Sequence, residues 1–141
     1  MIVTAGGRRG PGEYLYWESV LFTVIVEGGF TASHALLTAG GQREPRHTHE
    51  WKVRVAVAAE TLDEHGLAVD FVEISRHIAD ITGPLQNAEL EAVPCFAGKN
   101  ASAERVAVCI YEQMAARLAG RARLEYVEIM EAPGCWVRYR P

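Results

Sequence analysis

The chain has 141 residues, of which 49% are hydrophobic and 23% charged, the proportions of one soluble globular domain. Fourteen Lys and Arg stand against eighteen Asp and Glu, and the net charge of −4 argues against nucleic-acid and anionic-membrane partners, which need a basic patch. No apolar run is long enough for a transmembrane helix, the first residues lack the apolar core of a secretory signal, and three cysteines without close spacing suggest no disulfide framework, so the reducing cytoplasm is the expected compartment.

Residues 1–12, rich in Gly, Arg and Pro, read as a flexible arm, and residues 13–141 as a single domain. The run from Tyr14 to Glu27 is aromatic and β-branched, which suits a strand. The next twenty residues hold four glycines and a proline and are expected to be mostly loop. From Trp51 to Ala59 apolar and charged residues alternate, so a second strand is expected, then a turn and a short strand at LAVDF. A helix should start at Asp70, which can cap it with Glu73 three residues on. Its apolar face is Phe71, Ile74, Ile78 and Ile81, and Gly83-Pro84 stop it. Residues 84–101 read as a long loop with a helical turn. A second helix begins near Ser102, presents Val106, Cys109, Ile110 and Met114 on one face, and ends at Gly120. Two strands, Leu124 to Glu131 and Cys135 to Arg140, close the chain. Antiparallel strands with two helices indicate an α+β sandwich whose edges invite oligomerisation.

Five histidines are present. His47 and His49 lie two apart at a strand start, so both side chains fall on one face. His34 can come alongside if the strands pair. Three neutral histidines and one open position form the donor set of a catalytic zinc site. Imidazole also suits iron or nickel. His65 and His77 read as surface residues.

FTASH, RHTHEW, GLAVDFVEIS, NASAERVAV and EAPGCWVRYR occur in that order. Together they resemble the 6-pyruvoyltetrahydropterin and 6-carboxytetrahydropterin synthase family, which reads roughly FxAxH, HGHNY, GxVxDFxxLK, NPTxENxA and a late Glu followed eight residues on by Tyr. The resemblance spans about residues 20–140. It implies a tunnelling fold: a four-stranded antiparallel sheet with two helices on one face, with strand edges joined between subunits into a barrel, as trimers or hexamers. It implies Zn2+ held by His34, His47 and His49. It makes Glu131, with Tyr139 eight residues on, the anchor for an amidine-like pterin edge, since a carboxylate accepts two parallel hydrogen bonds there. Ser102 and Glu104 fall on further substrate-binding positions, although a carboxylate at Glu104 also simply suits a helix N-terminus.

The departures are as informative. The family's catalytic Cys before the first His of HGH is missing from GGQREPRH, and its Asp-His pair becomes Gln86 and Asn87. Amides orient substrates but do not shuttle protons. Glu44, three residues before His47, is a candidate replacement base, as some branches of the family place a glutamate nearby. Cys95 is expected to pack rather than to enter the site.

Retained metal ligands with replaced acid–base groups suggest a zinc-dependent lyase or cyclase acting on a noncanonical small molecule in a specialised biosynthetic pathway. The reaction would be elimination, retro-aldol cleavage, isomerisation or ring closure. The alternatives are a true pterin synthase with a rearranged catalytic set, and a non-catalytic zinc-bearing binder of a pterin-like metabolite.

Overall fold

The computed structural model describes residues 22–120 and 122–141. The expected arm and the first part of the expected opening strand, up to Leu21, lie outside them. Four strands form one antiparallel sheet in sequence order: β1 (Phe22–His34), β2 (His47–Ala59), β3 (Arg123–Ala132) and β4 (Cys135–Tyr139). The helices are α1 (Phe71–Thr82) and α2 (Ala103–Leu118). No helix among the described residues is long and apolar enough to cross a membrane.

The core lies between the helices and one sheet face. Phe30, Ala32, Trp51, Val53, Val55 and Val57 alternate inward from β1 and β2. They meet Ile74, Ile78 and Ile81 of α1 and Val106, Ile110 and Met114 of α2. The opposite face is charged. Arg54 donates to Glu27 at 2.8 Å and lies 4.1 Å over the Trp136 ring, and Arg138 lies 4.1 Å over Tyr126.

Both helix starts agree with the sequence. The Asp70 carboxylate accepts from the Val72 amide, and the Ser102 hydroxyl from that of Arg105. Gly83 caps α1 and, with Pro84, opens a 3-10 turn, the first of three at Gly83–Leu85, Leu90–Ala92 and Pro94–Phe96.

Four expectations fail for identifiable reasons. β1 does not stop at Glu27 but runs through Gly28 and Gly29 to His34. A Cβ at Gly28 would lie 2.6 Å from Ile78 Cγ2, so this glycine serves helix–sheet approach and not a turn. LAVDF forms no strand, because Asp63 Oδ1 takes the amides of His65 and Leu67 and curls the segment. Those two amides, Leu67's foremost, hold the Asp63 pKa below its ordinary value. Cys95 neither packs alone nor enters the site: a disulfide joins it to Cys109 across the loop and α2, while Cys135 is free and exposed. His65 is exposed as expected, but His77 is largely buried, its Nε2 3.6 Å from Glu73 Oε1.

Candidate metal centre

The β1–β2 register builds the centre. His34 pairs with His47, and Ala32 pairs with His49, so three imidazoles share the helix-facing side at one end of the sheet. Their ring centroids are 4.6, 4.7 and 5.2 Å apart. Trp51 forms the apolar floor, 5.1 Å from His34 and 5.7 Å from His49. It stacks on Phe30 and donates from Nε1 to the Ala32 carbonyl at 3.2 Å.

Hydrogen bonds on the outer nitrogens aim the inner ones. His34 is fully buried, and its Nδ1 lies 2.8 Å from the Ala101 carbonyl; His47 Nδ1 lies 2.9 Å from that of Pro45. A carbonyl only accepts, so both Nδ1 atoms donate, and in the neutral imidazole each Nε2 presents a lone pair inward. Nε2 of His34 and of His49 is buried with no hydrogen-bond partner among the described residues. Orphaned imidazole nitrogens converging on one point fit a metal ion, and neutral imidazole is the form that ligates. Burial, the largest influence on His49, holds its pKa below the ordinary value against the opposing pull of Glu131. His34, His47, His49 and Glu131 bring one donor atom each within 4.8 Å of one another, so the cluster can hold a metal ion.

Two carboxylates border the imidazoles. Glu131, near the end of β3, places Oε1 3.4 Å from Nε2 of both His34 and His49. Glu44 Oε1 accepts the Leu36 amide at 3.0 Å and stands 3.7 Å from His47 Nε2.

The remaining expected binding residues lie elsewhere. Gln86 Oε1 accepts the Thr31 amide at 3.0 Å, and the Asn87 amide donates to the Thr31 carbonyl at 2.6 Å, so this segment pairs along the outer edge of β1. Gln86 Nε2 in turn donates to Asn87 Oδ1 at 3.3 Å. Gln86 lines an open cleft of about 420 Å³ with Glu27, Thr31, Glu50 and Lys52, and none of the three imidazoles lines it. Ser102 spends its hydroxyl on the α2 cap, next to the carbonyl that orients His34. Glu104 is exposed in the first turn of α2.

Sequence reasoning missed the braces behind the centre. Glu91 accepts the amide of Ala35, just after His34, at 2.5 Å, and the Nη1 of Arg46, just before His47, at 3.0 Å. One carboxylate thereby staples the strand ends that carry two of the three imidazoles. Asn100 accepts from the Leu37 amide at 2.7 Å and donates to its carbonyl at 3.0 Å, holding the β1–β2 loop. Asn100 opens NASAER and Glu91 ends LQNAELE, but nothing local in those segments reveals which backbone they reach.

A sequence profile of the family described as 6-pyruvoyl tetrahydropterin synthase matches residues 23–141. No curated protein sequence matches. Among solved structures, the chain is similar to the Caenorhabditis elegans 6-pyruvoyl tetrahydropterin synthase. The TM-score is 0.76 at 18% identity, covering 86% of this chain and 96% of that one. The Plasmodium vivax 6-pyruvoyl tetrahydropterin synthase gives 0.69 at 16% identity, covering 84% and 96%. It has also been solved as variants in which a glutamate described as a catalytic residue is replaced by alanine or by cysteine. An uncharacterised protein of Wolinella succinogenes gives 0.68 at 15% identity, covering 86% and 98%.

Proposed function

The chain belongs to the 6-pyruvoyl tetrahydropterin synthase family, and from that premise we propose that it is a zinc-dependent lyase or cyclase acting on a small molecule with a pterin-like or other amidine-bearing edge. The observation that carries this reading is the convergence of three imidazoles beside an anchored carboxylate, with His47 Nε2 3.7 Å from Glu44 Oε1. His34, His47 and His49 would hold the ion. Zinc, when bound, supplies a Lewis acid for a carbonyl or hydroxyl of the substrate.

Glu44 is the proton acceptor in this reading. Its Oε1 is tied to the Leu36 amide, which fixes the carboxylate at the rim and leaves Oε2 to take a proton from substrate carbon. Glu131 anchors the amidine edge by paired hydrogen bonds. Gln86 and Asn87 replace the family's acid–base pair with amides; the Gln86 side chain accepts from the β1 backbone and donates to the Asn87 side chain, which suits edge positioning and not proton transfer. Trp51 and the buried end of β1 keep water from the inner side of the imidazoles. Elimination, retro-aldol cleavage, isomerisation and ring closure all need this set of one polarised oxygen and one base.

A homo-oligomer, trimer or hexamer, belongs to the same proposal. β1 and β4 are the sheet's two edges, and pairing β4 with the part of β1 before Thr31 between copies would satisfy the backbone groups left free there.

A second reading, a true 6-pyruvoyl tetrahydropterin synthase with glutamate as base, is favoured by the Plasmodium vivax relative, whose catalytic residue is a glutamate. Dihydroneopterin triphosphate separates the two: turnover favours the second reading. For the first, zinc-loaded protein is incubated in deuterated water with pterins and aminopyrimidines bearing a hydroxylated side chain. Proton exchange at the side-chain carbon is followed by NMR. Exchange should fall by about 10²–10⁴-fold in Glu44→Gln with zinc content unchanged. Full exchange in the variant removes Glu44 as base, and no exchange or turnover with any compound refutes the enzymatic reading.

A further inference from the structure

We infer that Glu131 is a fourth metal ligand that closes the centre at rest, and that the amidine edge of the substrate opens it by drawing the carboxylate away. This rests on the reading of the three imidazoles as a metal site and deepens it.

The first support is geometric. Donors about 2.0–2.1 Å from a tetrahedral ion stand about 3.4 Å from one another. Glu131 Oε1 is 3.4 Å from His34 Nε2 and 3.4 Å from His49 Nε2. The oxygen therefore keeps the spacing of a shared ligand to two of the three imidazoles, and all four donor atoms lie within 4.8 Å of one another.

The second support is electrostatic. His34 donates from Nδ1 to the Ala101 carbonyl, so the neutral ring turns a lone pair toward Glu131. An oxygen and a nitrogen that both only accept repel each other unless a proton or a metal ion lies between them. Among the described residues Glu131 has no lysine or arginine partner. Its charge is oriented by β3 toward the imidazoles, where a divalent ion would satisfy the carboxylate and the orphaned nitrogens together.

The third support is chemical. A centre closed by three histidines and a carboxylate has no place for a substrate oxygen, whereas catalytic zinc sites keep one position open. An amidine presents two parallel N–H donors, the partner a carboxylate binds best. Glu131 is partly exposed, so such a ligand can reach it. Arrival of the correct edge then frees the fourth position, and molecules without that edge meet a closed site.

The test uses cobalt(II) as a visible stand-in for zinc in the full chain, with Glu131→Gln and Glu131→Ala as variants and far-UV circular dichroism as the check on folding. Gln is isosteric, so it guards against a misfolded Ala variant. Both variants should bind zinc about 10–100-fold more weakly in chelator competition, a loss seen even for outer-shell partners of a metal site. Their cobalt d–d bands should differ from those of the wild type. Isocytosine, which carries the amidine edge alone, should move the wild-type bands toward those of the variants and leave the variant bands in place. Equal affinity and equal spectra in wild type and variants overturn the ligand assignment while leaving the three-histidine site standing. Wild-type bands unmoved by millimolar isocytosine overturn the displacement. A wild-type chain that takes up no metal removes the three-histidine reading, and this inference with it.

Discussion

Glu91 is the place where stability and the metal centre are most directly joined. Its Oε1 accepts from Ala35 N, an amide in a residue only 2% exposed, and its Oε2 accepts from Arg46 Nη1 at 3.0 Å. Truncation to alanine removes two charge-assisted bonds and leaves the Ala35 amide unpaired. Arg46 is partly solvated, so its share is the smaller. The expected loss is about 2–4 kcal/mol for Glu91→Ala and about half that for Glu91→Gln, which keeps an acceptor but no charge. Burial pushes the Glu91 pKa up, but the Ala35 amide, the residue's own backbone amide and Arg46 together outweigh it and hold the group below the ordinary carboxylate value. A depressed folded pKa means that the ionised group stabilises the fold above the unfolded value, about 4.3, and that this stability is lost as pH falls through the folded value. The gap between wild type and Glu91→Gln should hold steady from neutral pH to about pH 5 and close below about pH 4. Urea denaturation of the metal-free chain across that range measures it. A gap under about 0.5 kcal/mol at pH 7, or one that persists unchanged in acid, refutes the reasoning.

Two further outcomes follow from the fold. A Cβ at Gly29 would meet the Trp51 carbonyl oxygen at 2.5 Å, a backbone atom that cannot step aside, so Gly29→Ala should lose about 1–3 kcal/mol in urea denaturation; an unchanged midpoint would contradict the tight β1–β2 contact. With Cys95 bonded to Cys109, the denatured, unreduced chain should titrate one thiol, that of Cys135, and reduction should expose all three and cost about 3 kcal/mol of stability for a loop of this size; three thiols before reduction would show that the bond is not formed.

Local rules carried the helices. Asp70 and Ser102 are caps that can be read from a few neighbours, and Ile74, Ile78 and Ile81 declare a buried face by spacing alone. The imidazole cluster was legible because His47 and His49 share a strand face and because the pairing that brings in His34 follows from an antiparallel sheet. What stayed hidden depended on distant partners. Gly28 and Gly29 look like turn residues until Ile78 and Trp51 are packed against them. The strand pattern of LAVDF yields to one aspartate that closes a turn with two amides. Cys95 and Cys109 meet only when the loop folds over α2. Glu91 and Asn100 act on backbone groups more than fifty residues away, and no local pattern records such a reach. The bonds that Gln86 and Asn87 make to the edge of β1 and to each other likewise depend on a strand more than fifty residues earlier. The position of Glu131 against two imidazoles likewise appears only once β3 is placed beside β2.

The claim on which the rest depends is that His34, His47 and His49 hold a metal ion, and metal analysis of the purified chain beside His34→Ala and His47→Ala tests it most directly. The account predicts about one zinc per wild-type chain, lost in both variants while each remains folded. A metal-free wild type that takes up no zinc on dialysis, with folded variants that behave identically, would contradict it.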